Sequence, residues 1–139
     1  MTSDKGATFV DSNVVLYLLS GEPHKADRAE ALLRERPIIS VQVLNEVTSV
    51  CLRKLRLPWL EVEAVIAAVK AHASVVPLTV ESHAMAMELA QRHQLSFYDA
   101  HVVASALHAG AQTLFSEDLH HGLQIQGLRV QNPFLASQS

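Results

Sequence analysis

The chain has 139 residues, 49% of them hydrophobic, which suits one domain with one core. Its formal charge of −3 and sequence pI near 6.2 argue against a large basic surface that grips nucleic acid by charge alone. The longest apolar stretches, such as VVLYLL and AVIAAV, fall far below the ~20 residues of a membrane-spanning helix, and Met1 to Gly6 is polar rather than signal-like, so a cytoplasmic protein without membrane contact is expected.

The elements follow in chain order. Ala7 to Val10 reads as a strand ending at Asp11, after which Ser12 or Asn13 can cap a helix through VVLYLLS. HKADRAEALLRER has helical spacing, Pro37 ends it, and Ile38-Ile39 is a short strand. Ser40 is placed to cap a helix from Val41 to about Leu55, and Pro58 opens another with EVEAVIAAVKAH as its body. Val75-Val76 is a third strand, Thr79 caps VESHAMAMELAQRH, and Ser96 caps YDAHVVASALHAG, which Gly110 terminates. Thr113 to Phe115 forms a fourth strand and Gly127 to Val130 a weaker fifth. This alternation predicts a three-layer α/β/α sandwich around a mostly parallel sheet of four to five strands. The expected unit is a single domain over 1–139, with its core at about 7–134 and flexible polar ends.

Four acids stand beside apolar or small-residue stretches where a charge is costly: Asp11, Glu46, Asp99 and Asp118. Asp99 has Val102, Val103 and Ala106 at i+3, i+4 and i+7, so it faces inward, while His101, Ser105 and His108 share the other side. Each acid also has an ordinary role open to it: a capping box with Ser96 for Asp99, a surface pair with Arg53 for Glu46, an Asx-type turn for Asp11, and loop polarity for Asp118. In the Ser116-Glu117-Asp118 turn either acid could point inward; Asp118 is favoured, with Ser116 as a hydrogen-bond donor.

A gathering of carboxylates suits Mg²⁺ or Mn²⁺, which take oxygen ligands, and without metal the same acids would repel one another and resist ionisation. Such a site lowers the pKa of water and stabilises charge on a phosphodiester, so hydrolysis of that bond is the expected reaction.

The segments FVDSNVVLYLL, SVQVLNEV, SFYDAHVVASAL and LFSEDLHHG, in this order and spacing, resemble the PIN-domain family, and within it the VapC-like toxins of bacterial toxin-antitoxin pairs. The resemblance spans Ala7 to about Phe134. It implies a metal-dependent endoribonuclease with Asp11, Glu46, Asp99 and Asp118 as its catalytic and metal-binding acids, supported by Asn13, Ser116 and Glu117. It also implies an RNA substrate, a small cognate antitoxin that blocks the site, and a homodimer. The departure from the pattern is sparse basic charge near the last two segments, which leaves the RNA backbone to Arg53, Lys54, Arg56, histidines or a dimer partner.

Rival readings fare worse on the sequence. Receiver domains and haloacid-dehalogenase-type phosphatases need a late lysine, and none follows Lys70. A zinc site built on His101, His108, His120 and His121 is not expected, because the first two fall on the polar helix face and adjacent histidines point apart. Met85 and Met87 read as packing or a partner surface, Trp59 as a packing anchor, and Cys51 as a packed thiol. A catalytically silent PIN-like module that only binds RNA or protein is the alternative.

Overall fold

A computed structural model describes residues 6–135. The expected flexible ends lie mostly outside those residues. Along the chain run β1 (Thr8–Val10), α1 (Ser12–Leu16) with one 3-10 turn at Tyr17–Leu19, α2 (Pro23–Arg34), β2 (Ile38–Ser40), α3 (Val41–Arg53) and α4 (Trp59–Ala71). Then follow β3 (Ser74–Val76), α5 (Val80–His93), α6 (Phe97–His108), β4 (Thr113–Phe115), β5 (Gln124–Ile125) and β6 (Leu128–Gln131). The sheet order is β3-β2-β1-β4-β6-β5. All neighbours are parallel except the β5–β6 hairpin. This is the expected α/β architecture, with helices flanking a mostly parallel sheet.

The strands are short apolar runs because both sheet faces are covered. Phe9, Val10, Ile39, Leu114 and Val130 are fully buried. Phe9 pairs with Ile38 on one side and Leu114 on the other, which puts β1 at the centre. Helix α6 is buried continuously from Ala100 to Ala106 and packs against α5. Its small Ala and Ser residues allow that close approach. Gly110, at φ +78°, supplies the left-handed residue that ends α6.

Several expectations are corrected. The sheet has six strands, not four to five: Gln126 and Gly127, both at positive φ, form a two-residue turn, so Gly127 belongs to a hairpin and β6 begins at Leu128. Asp11, extended at ψ 162°, is itself the N-cap of α1, displacing Ser12 and Asn13 from that role. Ser40 occupies the N-cap of α3, but its buried hydroxyl makes no bond among the described residues. The Asp99 backbone N–H donates to Ser96 Oγ, as half of a capping box. The full reciprocal box forms instead at Thr79 and Ser82 on α5.

Because α6 is enclosed on nearly all sides, His101 and Ser105 are buried rather than placed on a polar face. Ser82 Oγ lies 2.9 Å from His101 Nε2. His108 is exposed, as expected. Trp59 keeps 62% of its surface exposed and is not a packing anchor; Val62, one turn later, fills that place. Cys51 is fully buried, and burial raises its thiol pKa, which fits the packed-thiol reading.

Candidate active site

Parallel strands put their carboxyl ends at one sheet edge, where loops and helix N-termini collect. Asp11 leaves β1 there, Ser116 to Asp118 leave β4, and α3 starts directly from β2. Asp99 lies in the first turn of α6 and Glu46 in the second turn of α3. The topology therefore draws four sequence-distant acidic segments toward one edge.

Asp11 is the fixed point. Only 1% of it is exposed, and its carboxylate accepts from Ser12 N–H at 2.7 Å, Ser116 Oγ at 2.9 Å and Asn13 Nδ2 at 3.3 Å. Burial pushes its pKa up to about 6 despite the opposing bonds from Ser116 and Ser12, and the charges of Asp118 and Asp99 add to the rise. Asp99 is half-buried, and its pKa is raised by burial first, against the Ser96 hydroxyl, with Asp118 adding to it. Asp11 thus feels the charges of Asp118 and Asp99, and Asp99 that of Asp118. Asp118 is exposed.

The choice between Glu117 and Asp118 has a geometric answer. Glu117 Oε2 accepts from Lys25 Nζ at 2.7 Å and Oε1 from Tyr17 hydroxyl at 2.8 Å. Burial works to raise its pKa, but the bonds from Lys25 and Tyr17 outweigh it and hold the carboxylate below its usual value. Glu117 is committed to that pair. Its supporting role is real in another sense: its backbone N–H donates to Asn13 Oδ1 at 2.9 Å. Ser116 Oγ, fully buried, receives the N–H groups of Asp118 and Leu119.

Glu46 is half-buried, and its charge acts on Tyr98. The Tyr98 hydroxyl lies 3.3 Å from Ser12 Oγ, and its carbonyl accepts from Gln42 Nε2 at 3.2 Å. Burial raises the Tyr98 pKa; the Ser12 and Gln42 bonds oppose this, while Asp11 and then Glu46 add to it. Tyr98 therefore bridges the β1 and α3 sides of the edge. The sequence does not single out Tyr98, Lys25 or Tyr17 for these roles, which lack a local signal because Ser12, Gln42 and Glu117 lie far from them in the chain. Arg53 bonds to Ser49 rather than Glu46. Arg53, Lys54 and Arg56 are all exposed, at or just beyond the end of α3. Arg53 lies about 10 Å along the helix from Glu46.

As a test for a divalent cation, the donors are all carboxylate oxygens, which suits a hard ion. Among the described residues, however, no three His, Cys, Asp or Glu side chains stand close enough to hold a metal as arranged. The donor type fits. Closure around an ion would draw on Asp118 and Asp99, whose exposure leaves them more freedom than Asp11.

Comparison with known proteins bears on the fold. A toxin-antitoxin complex from Klebsiella pneumoniae superposes with TM-score 0.72 at 19% identity, covering 91% of this chain and 98% of that one. VapC20 of Mycobacterium tuberculosis, described as a sarcin-ricin loop cleaving toxin, gives 0.62 at 22% identity over 81% and 90%. PAE2754 of Pyrobaculum aerophilum gives 0.65 at 18% over 93% and 92%. At these identities the likeness is one of fold. No curated protein matches the chain. The PIN domain family profile matches residues 8–121, from β1 through the loop that carries Glu117 and Asp118, and the chain belongs to the PIN-domain family.

Proposed function

We propose that the chain is a Mg²⁺- or Mn²⁺-dependent endoribonuclease and the toxin of a toxin-antitoxin pair, working as one domain over 1–139. The observation that carries this reading is the convergence of Asp11, Asp99 and Asp118, from three separate segments, on one sheet edge, where Asp118 and Asp99 act on Asp11 and Asp118 acts on Asp99. A carboxylate pushed up to about 6 by burial first, with its acidic neighbours adding to the rise, is unfavourable when ionised unless a cation or proton offsets it. The toxins among the structural neighbours support the same class.

In this reading Asp11, Asp99, Asp118 and Glu46 hold the ion. Bound Mg²⁺ or Mn²⁺ supplies charge neutralisation and Lewis-acid stabilisation for a phosphodiester. Ser116, Asn13 and the Ser12 N–H orient Asp11, while Tyr98 holds the α3 side against β1. Arg53, Lys54 and Arg56 meet RNA backbone. An antitoxin that covers this edge, a homodimer and a cytoplasmic location complete the proposal; among the described residues no helix is long and apolar enough to cross a membrane.

One observation favours a second reading, a silent RNA- or protein-binding domain: among the described residues no acidic triad is closed for metal as it stands. Incubating purified protein with mixed cellular RNA separates the two. Discrete fragments with Mn²⁺, lost with EDTA and in Asp99→Asn, are expected. Intact RNA, with Mn²⁺ binding shown by calorimetry, would establish the silent domain instead.

A further inference from the structure

Lys25, on the first turns of α2, is 92 positions from Glu117, yet the two form a closed triangle with Tyr17. Lys25 Nζ donates to Glu117 Oε2 at 2.7 Å and to Tyr17 hydroxyl at 3.0 Å; that hydroxyl donates to Glu117 Oε1 at 2.8 Å. Both carboxylate oxygens are used. The ammonium also lies 4.5 Å from the Tyr17 ring centre and 5.3 Å from that of Phe134, and those rings meet edge-on at 4.7 Å. Lys25 is one of only four lysines in the chain, and this geometry commits its ammonium to Glu117 and Tyr17.

The triangle continues into the acidic edge. Glu117 is held at its side chain by Lys25 and Tyr17, and at its backbone by Asn13 Oδ1. Asn13 in turn donates to Asp11 and to Ser116 Oγ. The next residue, Asp118, is exposed, with its N–H on Ser116 Oγ at 3.2 Å. Its backbone direction is therefore set from one side by the buried serine and from the other by the clamped glutamate. The pair keeps 30% and 27% of its side-chain surface, so its contribution to global stability is small, as for other solvent-reached ion pairs.

We propose that Lys25 is a positioning residue which, with Tyr17, clamps Glu117 and thereby aims Asp118 at the Asp11 side of the site. This inference rests on the ribonuclease reading of that edge for its catalytic consequence, but not for its structural one. Orienting groups behind a metal ligand are worth about 10–100-fold in metal affinity or activity.

The test compares wild type, Lys25→Met, Tyr17→Phe and the swapped pair Lys25→Glu/Glu117→Lys. Lys25→Met is expected to speed amide hydrogen exchange at Glu117 and Asp118 by about tenfold, weaken Mn²⁺ binding by about tenfold, and lower kcat by about tenfold with KM within about twofold. The swap is expected to recover most of each loss, because it restores both partners. Tyr17→Phe keeps the ring against Phe134 and shows a smaller loss of the same kind, and it serves if Lys25→Met does not fold. Unchanged exchange and Mn²⁺ affinity in Lys25→Met would overturn the clamp, as would a swap no better than the single variant. If wild type itself cuts no RNA, the ribonuclease reading fails, and exchange with Mn²⁺ titration still decides the clamp.

Discussion

Ser116 Oγ donates to Asp11 Oδ2 at 2.9 Å, tying the residue after β4 to the residue after β1. The same hydroxyl accepts from the N–H groups of Asp118 and Leu119, so one buried oxygen both supports the buried carboxylate and shapes the following loop. Ser116→Ala removes that donor and acceptor together and leaves polar groups without partners. A loss of about 2 kcal/mol is expected. Urea unfolding checks it, and a change below about 0.5 kcal/mol would show that water replaces the hydroxyl freely.

Asp11 makes the stability of the chain depend on pH. Its folded pKa of about 6 lies above the unfolded value near 3.8, so between those pH values the folded state keeps a proton that the unfolded state has lost. Stability from this group is present in acid and falls as pH rises through the window, by an amount on the order of 3 kcal/mol. Asp11→Asn cannot lose a proton. Its stability relative to wild type should therefore improve from pH 4 to pH 7, by slightly less than the full amount because part of the titration lies below pH 4. Thermal melts in EDTA measure the difference, and a flat difference across pH would show that Asp11 is not strained when ionised. Added Mn²⁺ should stabilise wild type more than the variant and narrow the gap at pH 7.

What the sequence could reveal of this edge follows the range of each interaction. Asp11, Asp99 and the β4 turn were legible because strand ends, caps and apolar periodicity are local patterns. The identity of the Asp11 cap was not, since Asp, Ser and Asn at three successive positions are all good caps and only the exit angle of β1 selects among them. His101 was misplaced because helical periodicity assumes one wet face, whereas α6 is enclosed by the sheet and α5. The β5–β6 hairpin left a faint trace in Gln126-Gly127, where a non-glycine residue at positive φ hides the turn. The alliance of Lys25 and Tyr17 with Glu117 left none, because Glu117 lies 92 and 100 positions from them.

His101 offers a direct check on that enclosed helix. It is 7% exposed, bonds to Ser82 and packs 5.6 Å from the Phe97 ring. Burial lowers its pKa, and the nearby His83 lowers it further, which favours the neutral ring. His101→Ala leaves a cavity and frees a buried serine, so a loss of about 2–3 kcal/mol is expected. His108→Ala, at an exposed position of the same helix, should change stability by less than about 0.5 kcal/mol. Equal melting temperatures for the two variants would contradict the α5–α6 seam described above.

Trp59 and Val62 lie one turn apart on α4 but in opposite surroundings, 62% and 1% exposed. Burial of a valine is worth about 2 kcal/mol, so Val62→Ala should lower stability by about that amount, whereas Trp59→Ala should cost less than about 1 kcal/mol in a dilute sample. The comparison matters because Trp59 lines an open groove with Thr48, Ile66 and Lys70, on the surface between α3 and α4. Repeating both melts over a hundredfold range of protein concentration adds the deciding dimension. If the cost of Trp59→Ala grows with concentration while that of Val62→Ala stays constant, the indole is covered by another copy of the chain, since only association couples stability to concentration. If both costs stay constant, Trp59 faces water.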